Sequence, residues 1–326
     1  HGPQLKTGMP QRQPAELASL SSPPVSTIVR YPVTDTEVPK ALQNVEPTIL
    51  LIGLGHLGGV LLEFLARETG IGRIIACSRN TELGRARCNV ARLGVVAQGL
   101  APKIEFRQLD VTRAEQVADT LASTDPDLLI TTATMQTWWL PELLPPEARR
   151  RLQAARFGPW LPLHLAPTLA LLEALSASEY RGLVLTAPFP DVVNCILGKL
   201  DLAPTCGLGN IDELVAKVRW VTAQRLAAPV ESVEAIMVAH HALEAAVFGE
   251  RAEQTPPYYL RILHEGVDIT DSLDVEEVLF AATPLSAGPA TAFFTAGSAI
   301  RLVRAILSGE TTSLHAPAPG GLPGGY

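Results

Sequence analysis

The residues whose types and spacing could do chemistry begin with Gly53-Leu54-Gly55-His56-Leu57-Gly58. They follow the apolar run Thr48-Ile49-Leu50-Leu51-Ile52 and lead into a helical stretch from Gly59 to Arg67, closed by Gly70. A strand, a glycine turn and a helix in that order seat the pyrophosphate of a dinucleotide. The first glycine allows the turn, the second lets backbone approach phosphate, and the third lets the helix close on the strand. The helix N-terminus adds free N–H groups and a partial positive charge, so Gly53, Gly55, His56, Leu57 and Gly58 are the expected cofactor contacts. The competing reading of the same glycines is a turn kept for close packing.

A second buried strand, Arg73 to Cys77, ends at Ser78-Arg79-Asn80. The residue about twenty positions beyond the last glycine selects the cofactor, and an acid there would hold the ribose 2′-hydroxyl of NAD. Ser78 occupies that position and Arg79 follows. A serine can hydrogen-bond a phosphate and an arginine can fork onto one, so the expected cofactor is NADP rather than NAD. Arg85 and Arg87 are either further parts of that clamp or solvated charges. Asp127 to Ala133 reads as a central strand followed by a loop at the cofactor edge, which adds Thr132 and Ala133 to the expected contacts.

These residues need a framework to hold them. The chain has 326 residues, 47% of them apolar, enough for one large α/β unit or two joined subdomains. The net charge of −7 argues against nucleic acid as a partner. No apolar run reaches the roughly eighteen residues of a membrane span, so no membrane partner is expected. Cys77, Cys88, Cys195 and Cys206 lack paired spacing. They read as free thiols, with no metal site, and with the absence of a signal-peptide pattern they point to the cytoplasm. Residues 1–46 are rich in Pro, Ser, Thr and Gln and read as an extended arm.

From residue 47 strand and helix alternate, the pattern of a doubly wound parallel sheet of Rossmann type. Strands are expected at 48–52, 73–77, 104–108, 127–132 and 182–186, and helices at 57–68, 82–93, 113–122, 146–156 and 163–176. Residues 47–187 form the expected dinucleotide-binding domain and residues 188–326 an α+β catalytic and oligomerisation domain. In that second part a helix is expected over 211–226, with Asn210 as N-cap and Glu213 completing a capping box. Strands follow at 233–239, 258–264 and 267–269, and an apolar-faced helix at 290–307 ends at Gly309.

The order of these elements resembles the lactate/malate dehydrogenase superfamily, over about residues 47–326. Thr186-Ala187-Pro188 stands where that family has Asn-Pro after its fifth strand. Gly209-Asn210-Ile211-Asp212 opens a helix as the family's catalytic Asp does. Val233 to Ala239 followed by His240-His241 is similar to the family's strand leading to Gly-Glu-His-Gly. The resemblance implies hydride transfer at a nicotinamide, with His241 as acid/base and Asp212 as its partner. A helix-dipole acid for Asp212 and a polar or core position for His241 remain open. His240 is the alternative to His241. It also implies a dimer or tetramer, with the helix at 290–307 or the N-terminal arm as an interface.

The departures from the family matter as much. The family holds its substrate carboxylate with an Arg three residues after the Asp, and Val215 stands there. Thr134 to Leu144 carries none of the family's loop arginines. A 2-hydroxy acid would have no guanidinium partner, which is costly for a desolvated carboxylate. Lys217 and Arg219 on the same helix are expected to be solvated. Trp138, Trp139 and Trp160 are instead expected either to wall a larger, less charged substrate or to seal a core edge, with His164 as a further proton-donor candidate.

The expected function is an NADP-dependent oxidoreductase acting on a ketone/alcohol or imine/amine carbon of a bulky, mostly uncharged small molecule. The alternative is a non-catalytic NAD(P)-binding sensor or assembly protein. A third reading, a glycosidase with a metal held by Cys195 and a histidine, lacks its signature motifs.

Overall fold

A computed structural model describes residues 46–101, 103–155, 158–249, 254–286, 288–309 and 313–326. The expected arm at 1–46 lies outside them except for Glu46, as do Arg156 at the end of one expected helix and Phe157. Pro39–Tyr326 forms one compact unit.

Six parallel strands run through its first half: β1 (Thr48–Ile52), β2 (Arg73–Ser78), β3 (Ile104–Gln108), β4 (Leu128–Thr131), β5 (Leu183–Thr186) and β6 (Cys206–Gly207). Their order is β3-β2-β1-β4-β5-β6, so the chain reverses direction across the sheet between β1 and β4. β1 and β4 are buried at every residue, which is why they read as unbroken apolar runs. Side chains alternate between two cores. Ile49 and Leu51 face α1 (His56–Leu65), α2 (Thr81–Val96) and α10 (Ala292–Ser308). Leu50 and Ile52 face α3 (Ala114–Thr124), α5 (Leu161–Ser176) and α6 (Pro190–Gly198). A short α4 (Pro146–Ala154) precedes α5. The expected boundary at 187 falls inside this sheet, because β6 comes from beyond it and α10 packs against α1. α10, with the 3₁₀ turn before it, is long and apolar enough to cross a membrane, but Ala296, Ala299, Ile300 and Val303 are buried in this core.

The second half builds a third core. β7 (Val233–Ala239), β8 (Tyr258–His264) and β9 (Val267–Asp268) form an antiparallel sheet. β7 alternates buried and exposed at every residue, and its buried face meets α7 (Ile211–Leu226) and α9 (Val275–Leu279). Where β7 ends, the chain turns directly into α8 (His241–Phe248). The sequence pattern does not mark α6, α8, α9 or β6. All four are short, and their apolar stripes span too few turns to show a period.

Candidate active site and dinucleotide cradle

The glycines fit a dinucleotide for three different reasons. Gly53 has φ +98°, and a Cβ there would lie 2.6 Å from the Ala133 amide nitrogen, so only glycine brings the turn after β1 against the end of β4. A Cβ on Gly58 would strike the Gly53 carbonyl and the Thr132 hydroxyl. Thr132 Oγ1 donates to that same carbonyl at 2.5 Å, locking the turn. A Cβ on Gly55 would meet nothing within 4 Å. That open space is where a phosphate would approach. α1 then starts with no side-chain cap and no acid in its first turn, which leaves its N-terminal field for an anion. His56 turns its Nε2 to the Pro289 carbonyl at 2.6 Å, and the Leu57 side chain packs on the core, so these two offer main chain rather than side chain.

At the end of β2, Ser78 Oγ accepts from the Asn80 amide, and Asn80 caps α2 by accepting from the Leu83 amide. Arg79 is exposed. The Leu109 amide donates to the Ser78 carbonyl, which brings Asp110 to this edge. Hydrogen bonds from Thr112, with the nearby charges of Arg79 and Arg113, hold the Asp110 carboxyl below its usual range. An acid is therefore present where the linear sequence shows none. Arg87 lies across Gly59 in the first turn of α1, with its Nε buried and without a hydrogen-bond partner among the described residues. It flanks the cradle.

Between the two sheets a second group assembles. His241 is the first residue of α8, and its Nδ1 lies 2.9 Å from Asp191 Oδ2 at the start of α6. A carboxylate only accepts, so Nδ1 carries the proton and Nε2 is left for other work. Asn210 Nδ2 donates to the same Asp191 oxygen. Glu244, one turn along α8, has Oε2 at 3.9 Å from His241 Nδ1. Burial alone would keep the imidazole neutral. The Asp191 hydrogen bond and the charges of Glu244, Asp191 and Glu213 outweigh it, so the His241 pKa is raised. Glu213 is pushed up to about 8 by burial and then by the charge of Glu244. Burial also raises Glu244, and His241 acts in the opposite direction. The cleft lining includes Asp191, Asn210, Leu214, His240, His241 and Glu244.

Two residues that frame Asp191 sit in unusual backbone conformations. Phe189 has φ 42° and Asn210 has φ 51°. Non-glycine residues held there cost about 1–3 kcal/mol each and cluster at sites where position matters more than comfort. The Phe189 ring packs edge-on to His164 at 4.4 Å and Trp160 at 5.4 Å, and lies 6.5 Å from His241. His164 Nδ1 lies 2.9 Å from Thr134 Oγ1 just after β4, and burial drives the imidazole down to about 4, so it is neutral at pH 7.

Several expectations need correction. Asp212 does not reach His241. It accepts from Arg301 Nη1 of α10 at 2.7 Å, and the carboxylate within hydrogen-bond distance of His241 is that of Asp191. Asn210 does not cap α7, because its amide is turned to Asp191 and its backbone is left-handed. His240 is exposed and caps α8, its Nδ1 accepting from the Ala242 amide at 3.1 Å. Val215 is not at the surface of the cleft around His241. It is buried in the third core beside Val218. Lys217 is buried against the Phe248 ring instead of solvated, and burial lowers it to about 8. Arg219 donates to the carbonyls of Val233 and Val230. Trp138 is exposed and Trp139 half-buried in the turn before a 3₁₀ segment at Leu140–Leu143. Cys195 Sγ donates to the Asp191 carbonyl, and among the described residues no three His, Cys, Asp or Glu gather to hold a metal. The sequence signal for Asp191 was present in Thr186-Ala187-Pro188-Phe189-Pro190-Asp191, three residues past the motif singled out.

No family model matches the chain, and no curated protein matches it. Solved structures do. A lactate dehydrogenase from a Medee basin deep-sea metagenome library is 14% identical with a TM-score of 0.59, over 84% of this chain and 81% of its own. Malate dehydrogenase from Cryptosporidium parvum is 14% identical with a TM-score of 0.57, over 83% and 81%. Lactate dehydrogenase from Eimeria maxima, solved with NADH and oxamate, is 13% identical with a TM-score of 0.55, over 81% and 75%. The fold is that of the lactate/malate dehydrogenases, an α/β Rossmann core followed by a second α+β layer.

Proposed function

We propose that this protein is a nicotinamide-dinucleotide-dependent oxidoreductase that uses NADP and acts on a ketone/alcohol or imine/amine carbon of a bulky, mostly uncharged substrate. The observation that carries the reading is the His241–Asp191 pair, which reaches Phe189 past the carboxyl end of β5. Strands β1 and β4 end at the glycine cradle on that same edge of the sheet. Ligands of open α/β sheets bind there.

When bound, the dinucleotide supplies or accepts the hydride. In reduction, His241 Nε2 gives a proton to the substrate's developing oxygen or nitrogen, and in oxidation it takes that proton back. Asp191 keeps the proton on Nδ1 and stabilises the imidazolium. The raised pKa favours the protonated form that reduction starts from. Phe189, Trp160 and His164 form an aromatic wall beside the imidazole. With Val215 in the core and Arg301 engaged by Asp212, the family's carboxylate clamp has no equivalent in these positions. A substrate carboxylate placed against the Asp191 carboxylate would be repelled, which supports a substrate without one.

The choice of NADP rests on Ser78 and Arg79, with Arg87 on the flank. Asp110 opposes it, and Eimeria maxima lactate dehydrogenase was solved with NADH. The test is Arg79→Asp. It should weaken NADPH binding ~10–100-fold with little effect on NADH, as loss of one charge-assisted phosphate contact implies. Equal loss for both would remove the 2′-phosphate role from Arg79.

A further inference from the structure

Proton exchange at His241 leaves one buried imidazole beside it without a task. His164 stands in the first turn of α5 and is 2% exposed. Thr134 settles one side of its ring. That hydroxyl has a single proton to give, and its oxygen lies 2.8 Å from the Gln136 carbonyl and 2.9 Å from His164 Nδ1. A carbonyl can only accept, so the hydroxyl proton goes to Gln136, and Nδ1 donates its own proton to Thr134. Nε2 is left with a bare lone pair. It is buried without a hydrogen-bond partner among the described residues, and the Trp160 and Phe189 rings packed edge-on to the imidazole do not supply one. Burial also keeps the ring neutral at pH 7, so the lone pair stays free of a proton.

A buried acceptor left bare is unfavourable, and folded proteins keep few of them. The surroundings of His164 indicate its use. Thr134 follows directly on Ala133, whose amide crowds Gly53 in the dinucleotide cradle. Phe189, 4.4 Å from His164, lies 6.5 Å from His241. His164 therefore belongs to the wall that runs from the cradle to the acid/base pair. We propose that His164 Nε2 accepts a hydrogen bond from an O–H or N–H that the substrate carries beside its reacting carbon. This rests on the oxidoreductase reading and narrows its substrate to a donor-bearing one: a hydroxy ketone, the diol it is reduced to, or a ketone with an N–H in that position. A substrate without the donor would strand the lone pair, which is how a buried polar group discriminates.

The probes are 2-hydroxyacetophenone, which carries the donor, and 2-methoxyacetophenone, in which a methyl group replaces the hydroxyl proton. Binding to the full chain with saturating NADPH is followed by the imidazole nitrogen-15 signals, and reduction by NADPH absorbance. His164 Nε2 should carry no proton before the probe is added. Its signal should move with the hydroxy ketone and not with the methoxy ketone. The hydroxy ketone should be reduced with a kcat/KM ~10-fold or more above that of the methoxy ketone, as one hydrogen bond to a buried group implies. His164→Phe keeps an aromatic ring and has no lone pair. It should hold its melting temperature, bind NADPH as the wild type does and lose the preference. Thr134→Val, which frees Nδ1 and lets the proton move to Nε2, should lose part of it, so the test does not hang on one variant. A protonated Nε2, a signal that ignores the hydroxy ketone or a preference that survives His164→Phe would overturn the proposal. So would a His164→Phe whose loss lies in NADPH binding, which would give the lone pair to the carboxamide of the cofactor. A hydroxy ketone that moves the signal but is not reduced would support the hydrogen bond and count against hydride transfer instead.

Discussion

His241 lies near several acids, but the consequences of removing Asp191 and Asp212 should differ. Asp191 is 2% exposed and holds the His241 Nδ1 proton, whereas Asp212 is neutralised by Arg301 across α7 and α10. Asp191→Asn should therefore cut kcat by ~10²–10⁴, the range of general acid–base catalysis, and move the alkaline limb of the rate profile for reduction to lower pH. The direction follows from removing a hydrogen bond and a charge that both raise His241. Asp212→Asn should leave that limb in place and lower the melting temperature, because it strands a partly buried guanidinium. A rate profile that shifts with Asp212→Asn and not with Asp191→Asn would reverse the assignment. His241 was legible in the sequence as a residue at the end of a strand, but its partner was not. Both acids open helices, and only the left-handed turn at Phe189 and the sidestep of Asn210 decide which carboxylate faces the imidazole. That is tertiary geometry, with no local signature in residue type.

At the scale of elements, β1, the glycine turn and α1 separate folding from binding. Gly53 is required by the fold: its φ of +98° and the crowding by Ala133 make Gly53→Ala cost about 1–3 kcal/mol or more. Gly55 faces open space, so Gly55→Val should leave the melting temperature of the ligand-free protein nearly unchanged and abolish dinucleotide binding. Thermal melts with and without NADPH would show this, and full retention of the ligand-induced shift in Gly55→Val would place the phosphates elsewhere. This element was legible almost to the residue, because a buried parallel strand is a continuous apolar run and each glycine has its own steric reason. The elements around His241 were less so. β7 announced itself by strict alternation, but α6 and α8 are about two turns long. A two-turn helix shows no period, and α8 begins directly at the histidine pair that drew attention as a strand end.

Across the whole molecule, buried titratable groups set how stability changes with pH. His164 and His315 are both pushed down to about 4 by burial, while a histidine in the unfolded chain titrates near its usual 6.5. The unfolded chain binds more protons between those values, so stability should fall as pH drops from 6.5 toward 4. Glu213 works on the other side. Its folded value of about 8 lies above the usual 4.5 of a glutamate, so the stability it lends below 4.5 is lost as pH rises toward 8. Melting curves should show a maximum between these arms. Glu213→Gln should flatten the neutral-to-alkaline arm, and an arm of unchanged slope would remove Glu213 as its cause. The doubly wound parallel sheet followed from the alternation of strand and helix, and the α+β second half from the change of pattern after it. The corrections fall where halves of the chain far apart in sequence meet. The most direct test of the central claim is a titration of the purified protein with NADPH and NADH, followed by nicotinamide fluorescence. Saturable binding of both, tighter for NADPH and lost in Gly55→Val, is the predicted result. Binding of neither would mean that the cradle holds no dinucleotide, and the oxidoreductase reading would fall with it.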